Sequence, residues 1–181
     1  VDPQRHVGEY LQVANENQLT IVAIFDTHLH ADHISGAREL AARTDADILM
    51  HHAYPSALPF RAVGDGEQFH FGAVRVDVLE TPGHTPNSIS LAVSDELRSV
   101  EPLALLTGDM MFVGDVGRPD LAGEDLLAQQ VANLHSSLHQ RLSSYPDEVE
   151  VYPSHGAGSL CGKGISAKPM TTLGFERKYN P

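Results

Sequence analysis

The chain has 181 residues, of which 41% are apolar and 20% charged, the balance expected of one soluble globular domain with its own core. No apolar run reaches the ~18 residues that a membrane-crossing helix needs, and a single cysteine, Cys161, excludes an intramolecular disulfide and any thiolate-rich zinc or iron–sulfur site. The formal charge of −12 argues against a partner held by phosphate contacts and against nucleic acid, while eleven histidines and no tryptophan ask where the imidazoles sit.

The sequence opens at Val1-Asp2-Pro3, as if entered part-way through a strand and its turn. It opens without a charged-then-apolar leader, and the expected location is cytoplasmic. Residues 19–25 are β-branched, almost wholly apolar and of strand length, and they lead into Asp26-Thr27 and a histidine-rich loop. Ser35 is placed to cap a short helix over 36–43, because its hydroxyl can accept from an orphan backbone N–H. Residues 47–50 read as a buried strand, 54–61 with its prolines as a loop, and Gly64-Asp65-Gly66 as a turn. Val74, Val76 and Val78 alternate with Arg75, Asp77 and Leu79, the period-2 pattern of a half-buried strand.

Further strands are predicted at 88–93 and 103–106, the second running into Thr107-Gly108-Asp109, with a glycine- and aspartate-rich loop over 114–123. Leu127, Val131, Leu134, Leu138 and Leu142 recur at helical spacing, which predicts one amphipathic helix over 124–144. A strand over 148–152 ends at Pro153-Ser154-His155, followed by a glycine-rich loop and a terminal helix around 172–179. The sequence contains no internal repeat. The expectation is a single α/β or α+β domain over 1–181 with helices covering sheet faces.

Thr27-His28-Leu29-His30-Ala31-Asp32-His33 packs imidazoles and a carboxylate into one loop directly after a buried strand. At this composition H-x-H-x-D-H arises by chance in roughly 3 in 1,000 sequences of this length, so the motif is informative. Imidazole and carboxylate suit Zn²⁺ or Fe²⁺. His84 in Thr-Pro-Gly-His-Thr-Pro, Asp109 and His155 each follow a predicted strand in the same way. Surface histidines capping loops would account for a lone strand-end histidine, but poorly for seven such residues in this order.

These motifs, T-H-L-H-A-D-H, T-P-G-H-T-P, T-G-D and P-S-H in that order, resemble the metallo-β-lactamase fold superfamily. The resemblance implies an αββα sandwich of two mixed sheets flanked by helices, with the fold's first strands expected ahead of Val1. It implies one metal site from His28, His30 and His84, another from Asp32, His33 and His155, and Asp109 between them. The superfamily is chemically broad, so local features must choose the activity.

Three segments resemble the persulfide dioxygenases, including bacterial members often fused to rhodanese domains. They are the stretch from Met110 through Gly117-Arg118-Pro119-Asp120-Leu121, the Gly-Ala-Gly-Ser-Leu-Cys-Gly-Lys stretch after His155, and the ending with Glu176-Arg177 and Asn180. That branch implies one Fe²⁺ per chain held by His28, His84 and Asp109, with Zn²⁺ as an alternative or as-purified metal. His30, Asp32, His33 and His155 then orient ligands and move protons, or form a second metal position. The implied substrates are O₂ and a low-molecular-weight thiol persulfide, such as glutathione persulfide. The partners the resemblance allows are a second copy of the chain and a rhodanese-type sulfurtransferase.

Arg118 is either a fork fixing its loop or a substrate carboxylate, or an ion-pair partner of Asp115 or Asp120. Cys161 is either a thiol that its glycine neighbours expose at the mouth of the site, with Lys163 favouring the thiolate, or a packed small hydrophobe. His6, His70, His135 and His139 are expected in solvent. His51 and His52 follow a strand, where they could line the site. The competing activity is a dinuclear zinc thioesterase resembling glyoxalase II. Less favoured are an RNA-processing nuclease, against which the acidic charge counts, and a catalytically silent platform.

Overall fold

Unit by unit, the polypeptide follows the predicted strand ends closely and the predicted helices less so. The computed structural model describes residues 1–57 and 59–181, and it resolves into two compact units, Val1–Val63 and Gly64–Pro181.

In the first unit three parallel strands pair in the order β1 (Ala23–Phe25), β2 (Asp47–His51), β3 (Arg61–Val63). Only the end of the predicted strand over 19–25 pairs, and Leu19 and Val22 stay exposed. Helix α1 (Gly8–Glu16), which lies outside the predicted elements, is largely polar; Tyr10 and Leu11 pack beside buried Val7 and Ile24. Helix α2 (Ala37–Thr44) links β1 to β2 and adds Ala37 and Leu40 to that core. The cap position of α2 is Gly36 rather than the predicted Ser35, which lies one residue ahead and whose Oγ accepts from the Ala37 N–H at 3.1 Å. Gly36 permits the close approach of the N-terminal segment, since a Cβ there would lie 2.1 Å from the Gln4 carbonyl oxygen. The predicted loop 54–61 contains residue 58, which lies outside the described residues, and its last position begins β3.

In the second unit six strands form a mixed sheet in the spatial order 171–172, 150–153, 104–108, 89–95, 74–80 and 68–71. Strands β4 (Gln68–Phe71), β5 (Val74–Glu80), β6 (Ile89–Asp95) and β7 (Ala104–Gly108) run as an antiparallel meander. Strand β10 (Glu150–Pro153) then pairs parallel to β7, and β11 (Thr171–Thr172) antiparallel to β10. A short hairpin, β8 (Met111–Phe112) with β9 (Asp115–Val116), occupies part of the predicted loop 114–123. Its turn is stapled by helix α4 (Leu173–Tyr179). Glu176 Oε2 accepts from the Gly114 N–H at 2.9 Å and from Asn180 Nδ2 at 2.8 Å, and Asn180 also donates to the Asp115 carbonyl.

The helix predicted over 124–144 is three pieces rather than one. A 3₁₀ turn (Glu124–Leu126) leads into α3 (Leu127–Ser136), and a π-turn (Ser137–Arg141) follows. The wider π-turn shifts the helix face, because each added residue advances it by about 100°. The buried residues are therefore Gln130, Leu134, Ser137 and Leu142, while Leu127 is 37% and Val131 49% exposed. The predicted leucine stripe thus turns away from the core over its first two members.

Leu142 sits in the core of this unit with Leu79, Leu105, Met110 and Val151. Replacing it with alanine is expected to cost about 2–5 kcal/mol, whereas Val131→Ala should cost less than about 0.5 kcal/mol. Urea denaturation of the two variants checks this; equal losses would restore the uninterrupted helix.

Candidate metal centre

Each unit carries a cluster of nitrogen and oxygen donors at its strand ends. In the first unit the loop after β1 is organised by Asp2, a residue the sequence reading assigned only to a strand and its turn. Asp2 has a positive φ of 44°. Its Oδ1 accepts from the Thr27 N–H at 2.7 Å and from His30 Nε2 at 3.0 Å, and its Oδ2 accepts from the Thr27 hydroxyl at 2.9 Å. The Thr27 hydroxyl has one proton, given to a carboxylate that cannot return it, so the 2.9 Å contact with His28 must be donated by His28 Nδ1–H. His28 is thereby set in the tautomer whose Nε2 carries a lone pair. His30 is set the opposite way, with Nε2–H given to Asp2.

The His28 and His30 rings, and the His30 and His33 rings, lie 4.2 Å apart between centroids. Asp32 is exposed, and its Oδ1 is 3.3 Å from His33 Nδ1. Beneath the loop, Ser35 Oγ donates to Asp26 Oδ1, and burial, reinforced by the charge of Asp2, raises the Asp26 carboxyl above the ordinary carboxylate range.

In the second unit His84, Asp109 and His155 converge. Nε2 of His84 lies 3.4 Å from Asp109 Oδ2, and Nε2 of His155 lies 3.4 Å from Asp109 Oδ1. His84 Nδ1 is 3.0 Å from the Arg118 carbonyl oxygen, which can only accept. Nδ1 must therefore carry a proton, and in the neutral ring the Nε2 lone pair faces a carboxylate oxygen. Two lone pairs set against each other in a buried site repel, unless a cation lies between them or the ring itself is charged. The donor set, imidazole nitrogen and carboxylate oxygen with the His84 ring oriented by its second nitrogen, fits Fe²⁺ or Zn²⁺.

The Arg118 side chain pairs with Asp120 through Nε to Oδ1 at 3.0 Å and Nη2 to Oδ2 at 2.5 Å, and Nη1 reaches the Leu160 carbonyl at 3.4 Å. This pairing holds the Asp120 carboxyl down at about 2. Of the two predicted ion-pair partners the guanidinium takes Asp120. Asp115 instead accepts the backbone N–H groups of Lys163 and Gly164, both at 2.6 Å.

Of its two readings, Cys161 takes the packed one rather than the exposed one. The glycines around it do not open the loop, because the Arg118 N–H donates to the Cys161 carbonyl and ties the two loops together, and the residue is 2% exposed. The thiol lies within 4.8 Å of donor atoms of Asp109 and His155. His6, His70, His135 and His139 are exposed as expected. His51 ends β2 rather than following it, is buried and accepts the Ala53 N–H on Nδ1 at 3.1 Å, while His52 just after it is exposed.

The model of the metallo-beta-lactamase superfamily matches residues 1–155. The chain belongs to this superfamily. Among solved superfamily structures, a metallo-beta-lactamase from Staphylococcus aureus subsp. aureus COL superposes with a TM-score of 0.90 at 36% identity, covering 99% of this chain and 54% of that one. This chain therefore spans about half of the staphylococcal protein. ETHE1 from Myxococcus xanthus superposes with a TM-score of 0.80 at 31% identity, covering 99% and 71%. TTHA1623, solved in a di-iron-bound form, gives 0.72 at 29% identity, covering 99% and 86%. A curated superfamily relative, the hydroxyacylglutathione hydrolase of Brucella anthropi, is 34% identical over 138 residues, 75% of this chain and 48% of its own length. The α/β metallo-β-lactamase fold expected from the motifs is the fold of this chain.

Buried as it is, Cys161 should react with a thiol reagent only as fast as the protein opens, while the denatured chain reacts at once. Alkylation followed by mass spectrometry checks this; rapid stoichiometric labelling of the native protein would contradict it.

Proposed function

We propose that the protein oxidises a low-molecular-weight persulfide, such as glutathione persulfide, with O₂ at one ferrous ion per chain held by His28, His84 and Asp109. The observation that carries this reading is a contrast among the seven strand-end residues. His28, His84 and Asp109 are at most 2% exposed, and both histidines have Nδ1 engaged, so that Nε2 is the donor atom. His30 spends Nε2–H on Asp2, and Asp32 and His33 face each other with side chains 27% exposed. The resemblance of the Gly117-Arg118-Pro119-Asp120-Leu121 loop to the persulfide dioxygenases supports the same choice.

Iron held by two imidazoles and a carboxylate would supply open positions for a substrate sulfur and for O₂, and would relay electrons from the sulfur to oxygen. The net reaction is RSSH + O₂ + H₂O → RSH + SO₃²⁻ + 2 H⁺, in which the outer sulfur loses four electrons and O₂ gains them. The chain's own groups orient and carry protons. Asp2 and Thr27 keep His28 in one tautomer, and the Arg118 carbonyl does so for His84. In this reading the partly exposed Asp32–His33 pair passes the released protons to water. The Arg118 guanidinium, bound to Asp120 and Leu160, holds the loop that presents its own carbonyl to His84.

A second activity, dinuclear hydrolysis of a glutathione thioester, is favoured by one observation. Asp109 offers one oxygen to His84 and the other to His155 at equal distance, the posture of a bridging carboxylate. The hydroxyacylglutathione hydrolase relative points the same way.

Protein prepared without added zinc is expected to contain one iron per chain, to consume O₂ with glutathione persulfide and to release sulfite. Asp109→Ala should abolish both metal and turnover. Cys161→Ser should leave the iron content unchanged and alter turnover of the persulfide. Two metals per chain with thioester hydrolysis, and no O₂ uptake by the iron-loaded protein, would move the assignment to the hydrolase.

A further inference from the structure

We infer that α3 is the arm that aims His84, and that Gln130 and Ser137 are positioning residues for the metal. This rests on the reading that His84 is a ligand. Both side chains are polar, sit on the face of the helix that turns inward, and are at most 3% exposed. A buried amide and a buried hydroxyl on a helix face that leucine could fill are unfavourable unless each has a partner. Gln130 Nε2 donates to the Gly83 carbonyl at 3.2 Å, and Ser137 Oγ donates to the Pro82 carbonyl at 2.7 Å. Asn133 Nδ2 donates to Gln130 Oε1 at 3.1 Å, which turns the amide so that its NH₂ faces the loop.

The two donors are seven residues apart, which is two turns and about 10 Å along one face of a helix. The two carbonyls they hold belong to consecutive residues, Pro82 and Gly83. The peptide groups on either side of Gly83 are therefore drawn toward opposite ends of the helix. Leu134 lies between the donors in sequence and fills the space beside Gly83, where a Cβ would stand 2.5 Å from the Leu134 Cα. Gly83 also holds a φ of 150°, open mainly to glycine. His84 is thus fixed from both sides, its ring by the Arg118 carbonyl and the backbone leading into it by α3. The π-turn that starts at Ser137 allows this, because it turns Leu138 and Leu142 toward the core without rotating Ser137 off the loop.

The test measures metal affinity by competition with a chromophoric chelator, and the visible spectrum of the Co²⁺-loaded protein, for Gln130→Met, Ser137→Ala, the double variant and Ser137→Thr. His84→Ala serves as the reference, and urea denaturation confirms folding. The double variant is expected to bind metal about 10–100-fold more weakly, with a shifted Co²⁺ spectrum, and Ser137→Thr to restore both properties relative to Ser137→Ala. Ser137→Ala removes a single oxygen and carries the test if the double variant does not fold. A folded double variant with parental affinity and spectrum, beside a His84→Ala variant that has lost metal, would overturn the inference alone. A His84→Ala variant that keeps parental affinity would overturn the ligand assignment and the inference with it.

Discussion

The structure depends on a simple constraint: a neutral imidazole presents its lone pair in a fixed direction when a partner holds the proton on its other nitrogen. For His28 that group is a hydroxyl whose own proton is already committed to Asp2, and for His84 it is the Arg118 carbonyl. In both cases the partner is stationed by hydrogen bonds of its own rather than by the histidine. The tautomer is therefore decided before any ligand arrives, and the ring has little freedom left to lose on binding one. Much of the second unit's loop architecture follows from this. The Arg118–Asp120 fork, the Asp115 carboxylate that gathers two backbone N–H groups, and the Glu176 staple on the hairpin turn each immobilise part of the segment that follows Asp109.

The strand ends were legible because they need only two local signals, a short β-branched run and a polar ligand directly after it. His84, Asp109 and His155 all follow strands within a few residues of the expected end. The helices were less legible because periodicity counts apolar residues and assumes an unbroken pitch. A π-turn violates that assumption, so the stripe from Leu127 to Leu142 predicted a face that the chain does not bury at its start. Gln130 and Ser137 were invisible for the complementary reason: a polar residue in a helix reads as solvated, and its partners at residues 82 and 83 are about fifty positions away.

The same logic separates the two cases in which chemistry was read from local composition. Glycines around Cys161 suggested an open loop, since glycine frees the backbone. Freedom in the unfolded chain says nothing about where a loop is tied in the folded one. Here a backbone bond from Arg118 to Cys161 closes it. For Arg118 the sequence supplied both carboxylate candidates at short range and no means of choosing. The choice of Asp120 leaves Asp115 free to organise the glycine-rich segment from the opposite side. The Glu-Arg…Asn ending, quoted for its resemblance alone, acquires a physical role. Glu176 and Asn180 hold the hairpin, while Arg177 donates to the carbonyls of Leu142 and Tyr145 just beyond the π-turn.

Asp2 imposes two demands on a single position, and together they govern what evolution can put there. Its left-handed backbone is open to glycine, asparagine and aspartate and strained for most other side chains. Its carboxylate receives donors from the Thr27 N–H and hydroxyl and from His30. Glycine meets the first demand and has nothing to offer the second. Asparagine keeps the backbone but replaces one acceptor oxygen with a donor NH₂, which would confront either the Thr27 hydroxyl or the other two donors. Glutamate keeps the acceptors but lacks the short side chain that makes the backbone tolerable. A single substitution at this position therefore loses either the backbone conformation or an acceptor that residues 27 and 30 use.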